Sequence, residues 1–304
     1  MQFGAAIWPF QWYPPYDDAI RRVARLGFRC VELIAWDRDA LQTYYTPDRS
    51  AALRRLLADE GVTLSEFVTT PSGIASADPK RRAAAVDHFQ QAVEVAQALG
   101  TDTINSVVAP PFDLPVPRLL ELPETQEVRV ALPQGLSWRD GYRWYVEALQ
   151  QCAARCEAAG LRYALETHPH RWATTAMSLR HLIADVGSPA VGANLDPSHL
   201  FPCGDLPAMA VYELGERIFH THLSDNDGQT NAHWRPGKGK IDWAGLLAAL
   251  QDIGYAGVLS IELEDVPGRA SAEQPSAGAA FERENRLARD YLSQLAAQLG
   301  IHVA

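Results

Sequence analysis

The chain has 304 residues, of which 47% are hydrophobic and 21% charged, the balance of a globular protein with a sizeable core. Its formal charge is −10 with no lysine- or arginine-rich block, which disfavours a nucleic-acid partner. That balance points instead to a small neutral or cationic ligand, or to a metal that neutralises clustered carboxylates. No run approaches the roughly 18 apolar residues of a membrane span, and no charged segment precedes an apolar run at the N-terminus, so neither membrane insertion nor secretion is expected.

Along the chain, short β-rich apolar runs alternate with longer amphipathic stretches. Strands are expected at 2–8, 30–36, 63–70, 101–108, 162–167, 191–196, 218–223 and 258–263. Helical patterns such as DDAIRRVARLG, DRSAALRRLLADEG and RRAAAVDHFQQAVEVAQALG lie between them. Most stop at a glycine able to take the left-handed cap: Gly27, Gly61, Gly100, Gly160 and Gly254. Asp78-Pro79 reads as an N-cap followed by proline in the first turn. Of the four cysteines, Cys152 and Cys156 sit one helical turn apart, where packing is expected; with Cys30 and Cys203 they form no CxxC pair, and a reducing, cytoplasmic setting fits.

Strand–helix units repeated this way imply a parallel sheet closed into a single (β/α)8 TIM barrel spanning residues 1–304. The structural alternative, a doubly wound open sheet, carries a glycine-rich phosphate turn after its first strand. Here that segment reads WPFQWYPPYDD, and Gly237-Lys238-Gly239-Lys240 lacks the spacing and hydroxyl residue of a phosphate loop. Residues 109–137 form a proline-rich insertion after the fourth strand, on the face where barrel loops build active sites. It reads as a lid, an oligomer contact or a passive surface insertion.

The last four strands end in Glu166, Asp196, His222 and Glu262. A barrel brings those ends together around its axis, giving a hard, mostly oxygen shell with one nitrogen. Such a shell suits one divalent ion, with Mn²⁺, Mg²⁺ or Co²⁺ favoured and Zn²⁺ possible. Carboxylates packed this closely without a cation would repel one another and take up protons.

The run GANLDPSHLF, with ETHP upstream and HTHLSD downstream, resembles the xylose isomerase-like barrel superfamily, as does the closing PGKGKIDWAGLLAALQDIGYAGVLSIELED. Its members include sugar isomerases and epimerases, inosose dehydratase and endonuclease IV. The resemblance implies that Glu166, Asp196, His222 and Glu262 are metal ligands and that His199, in an Asp-x-x-His pattern, contacts substrate. His220 is assigned to the face of its strand opposite His222, with a structural role.

In the isomerase and epimerase branch, which is favoured here, the metal grips a carbonyl and neighbouring hydroxyl of a keto-sugar or cyclitol and stabilises an enediolate. Glu166 and Glu262 then remove and return the proton. The runner-up is a lyase of the inosose dehydratase kind, with His168, His199 or His233 as general acid. An endonuclease IV-like nuclease needs histidines at the third and fourth strand ends, where this chain has EFVTTPSG and NSVVAPP, and an aspartate where it has Asn231. A non-catalytic sugar-binding barrel would not need both glutamates.

Around the metal, Trp8, Phe10, Trp12, Tyr13, Trp36 and Phe112 cluster near the strand ends, and Trp8 and Trp36 are expected to line the site against a sugar's C–H face. Glu32, Glu66 and Asn105 are candidates either for binding hydroxyls or for supporting the ligands. His168, His233 and Arg235 are substrate-binding candidates, Arg235 as an anchor for a carboxylate, phosphate or hydroxyl. No strongly basic phosphate cup is present, which favours an unphosphorylated substrate. A homo-oligomer is compatible with the insertion.

Overall fold

A computed structural model describes residues 1–115, 130–131, 134–266 and 279–304. Eight strands form a closed barrel in chain order: β1 Gln2–Ala5, β2 Cys30–Ala35, β3 Thr63–Thr69, β4 Thr103–Val107, β5 Arg162–Glu166, β6 Val191–Leu195, β7 Ile218–Leu223 and β8 Val258–Ile261. Every pairing is parallel, including β1 with β8. Seven of the eight strands are shorter than the sequence pattern suggests, because their last expected residues turn into the loops at the C-terminal end of the barrel; β7 keeps its expected bounds.

Apolar runs without alternation, such as CVELIA in β2 and VGANL in β6, are buried at every position. This is the pattern of a parallel sheet with helices outside and packed side chains within. The helix before β4 begins at Asp78, whose side chain accepts from Lys80 N, and ends on Gly100 at φ 86°. The helix before β5 ends likewise on Gly160 at φ 69°. Cys152 and Cys156 lie buried on that helix, and all four cysteines are free thiols.

Two register shifts fall beside the eventual site, between Val31 and Glu32 in β2 and between Ala193 and Asn194 in β6. A bulge re-aims the residue that follows it, and here that residue is a polar group pointing into the barrel. Much of the 109–137 insertion lies outside the described residues, as does the role expected for it. Among the described residues, no helix is long and apolar enough to cross a membrane.

Candidate active site

The strand C-termini surround a cavity of about 370 Å³. A larger hollow of about 740 Å³ opens at the opposite mouth, among Gln2, Cys30, Thr63 and Tyr255. Chemistry in barrels sits at the C-terminal face, where the βα loops converge, and the clustered titratable groups lie there too.

Glu166, Asp196, His222 and Glu262 stand together on the floor of the upper cavity, each buried, with one potential donor atom apiece within 4.8 Å of the others. His222 Nδ1 is 3.3 Å from Glu166 Oε2 and 3.4 Å from Glu262 Oε2. Asp196 caps the short helix Pro197–Leu200: its Oδ1 accepts from Ser198 N at 2.7 Å, which leaves Oδ2 turned to the site. Asp196 Oδ2, His222 Nδ1 and Glu262 Oε2 have no hydrogen-bond partner. An orphaned buried polar atom costs about 1–3 kcal/mol, and three of them converge here. The donor set fits a divalent ion.

The other atoms of these residues are tied down. His222 Nε2 donates to Glu32 Oε2 at 2.9 Å and to Glu66 Oε1 at 3.1 Å. Asn105 and Asn194 donate their amide N–H groups to Glu166 Oε2 at 2.9 and 3.1 Å. Trp8 Nε1 donates to Glu262 Oε1 at 2.8 Å. Burial opposes charge on His222, but Glu32, Glu166 and Glu262 hold its pKa well above the usual imidazole range. Its proton therefore supplies, in the metal-free protein, the positive charge that the carboxylates demand.

The two glutamates are pushed apart. Burial acts to raise Glu166, yet the charges of His222 and His168 hold it well below the usual carboxylate range. Burial carries Glu262 well above that range against His222, with Glu264 and Glu166 adding to the rise.

Three histidines flank this floor. His199 Nδ1 donates to Asn231 Oδ1 at 2.8 Å, so Nε2 faces Asp196 Oδ2 at 3.4 Å and Glu166 Oε1 at 3.5 Å. Burial, followed by the charge of His168, lowers the His199 pKa to about 3, so the ring is neutral. His168 packs over it with ring centres 3.5 Å apart, and its Nε2 lies 3.4 Å from Glu166 Oε1. The His233 ring centre is 4.8 Å from that of His199, and its backbone N–H donates to Asp265 Oδ2 at 2.7 Å. All three line the cavity. The opposite wall is apolar: Trp36 stacks on Trp12 with centroids 4.2 Å apart, and Trp8 meets Trp36 edge-on at 6.3 Å.

Several expected positions differ. His220 points into the barrel on the same side as His222, because residues two apart on a strand share a face; its Nδ1 is 3.4 Å from Glu66 Oε2. Glu32, Glu66 and Asn105 are fully buried beneath that cluster and do not line the cavity. Arg235 is absent from the lining, and its Nε pairs with Glu284 at 3.1 Å. Phe10 packs on Phe281, Tyr13 is exposed, and Phe112 joins Trp138 and Trp172 away from the cavity.

Asn194, Arg171 and Asp225 are absent from the sequence reading. Strand alternation from Asp196 points to Asn194. Arg171 lines the cavity beyond His170, whose φ of 63° turns the chain after β5; no local pattern announces it. Asp225 is wholly buried, and its carboxylate accepts from the backbone N–H groups of Gly237, Gly239 and Ile241 and from Trp243 Nε1. The glycine-rich loop thus folds around an internal anion. A Cβ at residue 239 would stand 2.2 Å from Asn226 O, which explains the glycine there.

Comparison with known proteins agrees with this geometry. A 124-residue stretch is 32% identical to an uncharacterized protein of Methanocaldococcus jannaschii, of whose length that match spans 42%. The D-psicose 3-epimerase of Enterocloster bolteae is 23% identical over 269 residues, 86% of this chain and 82% of the relative. The crystal structure of the D-psicose 3-epimerase from Clostridium cellulolyticum with D-tagatose superposes with a TM-score of 0.75 at 21% identity, covering 97% of this chain and 99% of that one. The profile of the family described as Xylose isomerase-like TIM barrel matches residues 20–287, and the chain belongs to that family.

Proposed function

We propose that this enzyme is a divalent-metal-dependent epimerase or isomerase of a small, unphosphorylated keto-sugar or cyclitol. The observation that carries the reading is the pair Glu166 and Glu262, each about one donor–donor spacing from His222 Nδ1 on the cavity floor. The relatives matched over most of the chain, sugar 3-epimerases, support the reaction class.

Glu166, Asp196, His222 and Glu262 would hold the ion, which when bound polarises a carbonyl and stabilises negative charge on the adjacent oxygens. One glutamate takes the proton from the carbon beside the carbonyl, and the other returns a proton to that carbon to give an epimer, or to the former carbonyl carbon to give an isomer. Neutral His199, held by Asn231, orients a substrate oxygen. The walls of Trp8, Trp12 and Trp36 exclude water and pack against the sugar's C–H surface. At the glycine-rich loop, an unphosphorylated substrate is supported by the commitments of the cations and amides there: Arg235 to Glu284, Lys238 over the Trp234 ring, and the loop N–H groups to Asp225.

Incubating the protein with Mg²⁺ and a panel of free ketoses and inososes in D₂O, followed by proton NMR, tests the reading. Loss of the proton next to the carbonyl with growth of an epimer or isomer is the expected result. An unsaturated or deoxy-keto product would replace it with a lyase on the same residues.

A further inference from the structure

Glu32 and Glu66 are Cα partners on β2 and β3, just beyond a register shift, and both are 0% exposed. Two carboxylates in a barrel core are costly unless each is compensated, and nothing about packing alone requires them there. We propose that they are a positioning pair for the cation centre, fixing His222 directly and Glu166 through Asn105. This rests on the metal-dependent reading above.

The connections run in two arms. In the first, His222 Nε2 donates to Glu32 Oε2 at 2.9 Å and to Glu66 Oε1 at 3.1 Å, while Ser260 donates its hydroxyl to the other oxygen of Glu32. A proton held on Nε2 keeps the Nδ1 lone pair turned toward Glu166, Asp196 and Glu262, and carboxylate contact strengthens the ring as a ligand. In the second arm, Asn105 Nδ2 donates to both Glu66 Oε1, at 3.2 Å, and Glu166 Oε2, at 2.9 Å, so Glu66 sets the amide that orients Glu166. His220 closes the underside, with Nε2 3.9 Å from Glu32 Oε1 and Nδ1 3.4 Å from Glu66 Oε2. Neither Glu32 nor Glu66 lines the substrate cavity, so they act through the ligands.

The same four residues, Glu32, Glu66, His220 and His222, also lie close enough to surround a second ion. The test separates the two arrangements. Metal-stripped full-length protein is titrated with Mn²⁺, reading free Mn²⁺ by electron paramagnetic resonance and bound metal by elemental analysis. Wild type binds one ion per chain. Glu32→Gln and Glu66→Gln each weaken that binding roughly 10–100-fold, the range for groups that support a ligand, measured on variants that metal-free urea unfolding shows to be folded. In ¹⁵N NMR of the Mg²⁺-loaded protein, His222 carries its proton on Nε2.

If Glu66→Gln does not fold, Asn105→Ala leaves both carboxylates in place and is expected to weaken Mn²⁺ binding about tenfold through the Glu166 arm. Unchanged Mn²⁺ affinity in folded variants, a proton on Nδ1 of His222, or two ions per wild-type chain would each overturn the positioning role while leaving a metal enzyme. Wild type that binds no Mn²⁺ would overturn both this role and the reading on which it rests.

Discussion

Trp8, just after β1, donates its indole N–H to Glu262 Oε1 on the neighbouring β8 end at 2.8 Å, while its ring meets His222 edge-on at 5.5 Å. One side chain therefore walls the cavity and fixes the orientation of a carboxylate whose other oxygen faces the site. Trp8→Phe keeps the wall and deletes the donor. A hydrogen bond to a charged group contributes about 2 kcal/mol, so kcat should fall roughly 30-fold. Mn²⁺ affinity should fall about tenfold as well, because Glu262 is also a proposed ligand, so kcat is compared at saturating Mn²⁺. Steady-state kinetics alongside metal titration checks both.

Binding an ion to the folded state alone stabilises it by mass action. Mn²⁺ at a hundred times its dissociation constant should add about 2.7 kcal/mol to unfolding and raise Tm, reversibly with EDTA. Asp196→Asn keeps an oxygen able to cap Ser198 N but removes the carboxylate charge at the site. Its Tm should be nearly insensitive to Mn²⁺ in a calorimetric scan; a shift equal to that of wild type would remove Asp196 from the ligand set.

The fold and site were largely readable from the chain because both follow short-range rules. Eight apolar runs separated by capped helices specify the barrel, and a barrel makes neighbours of residues as far apart as Glu166 and Glu262. The floor beneath them was less legible. Glu32 and Glu66 look like strand-end groups until register shows how deep they lie, and the shift after Val31 has no sequence signal. His220 shares the face of His222 because residues two apart on a strand point the same way, so the opposite-face expectation fails. Arg235 sits beside a functional loop, but its partner Glu284 lies 49 positions away on the last helix, beyond the reach of local pattern.

Asp225 offers a stability prediction independent of catalysis. Asp225→Asn places an NH₂ group among donors that now share a carboxylate. The loss should be about 3 kcal/mol, as expected when a buried charge-assisted network is broken. Urea unfolding measures it.

His88 gives a pH dependence away from the metal. Burial, followed by the charge of Arg38, holds its pKa below the usual imidazole range, and its Nε2 bonds the Thr69 hydroxyl at 3.3 Å. The unfolded chain takes up a proton near pH 6.5 that the folded chain refuses, so this contribution is complete above about pH 6.5 and declines as pH falls toward the folded pKa. His88→Gln should therefore lose less stability than wild type between about pH 7.5 and 5.5, measured by urea unfolding in EDTA. Parallel losses would contradict the assignment.

Glu166 and Glu262 are proposed to move a carbon-bound proton while they hold a metal. Wild type and Glu262→Gln are compared in D₂O with Mn²⁺ and a converted ketose, quenched with EDTA and read by proton NMR. Wild type should exchange the proton next to the carbonyl for deuterium and form the epimer or isomer, while Glu262→Gln retains bound Mn²⁺ but forms no product. Product formation by Glu262→Gln at the wild-type rate would remove Glu262 from the proton transfer.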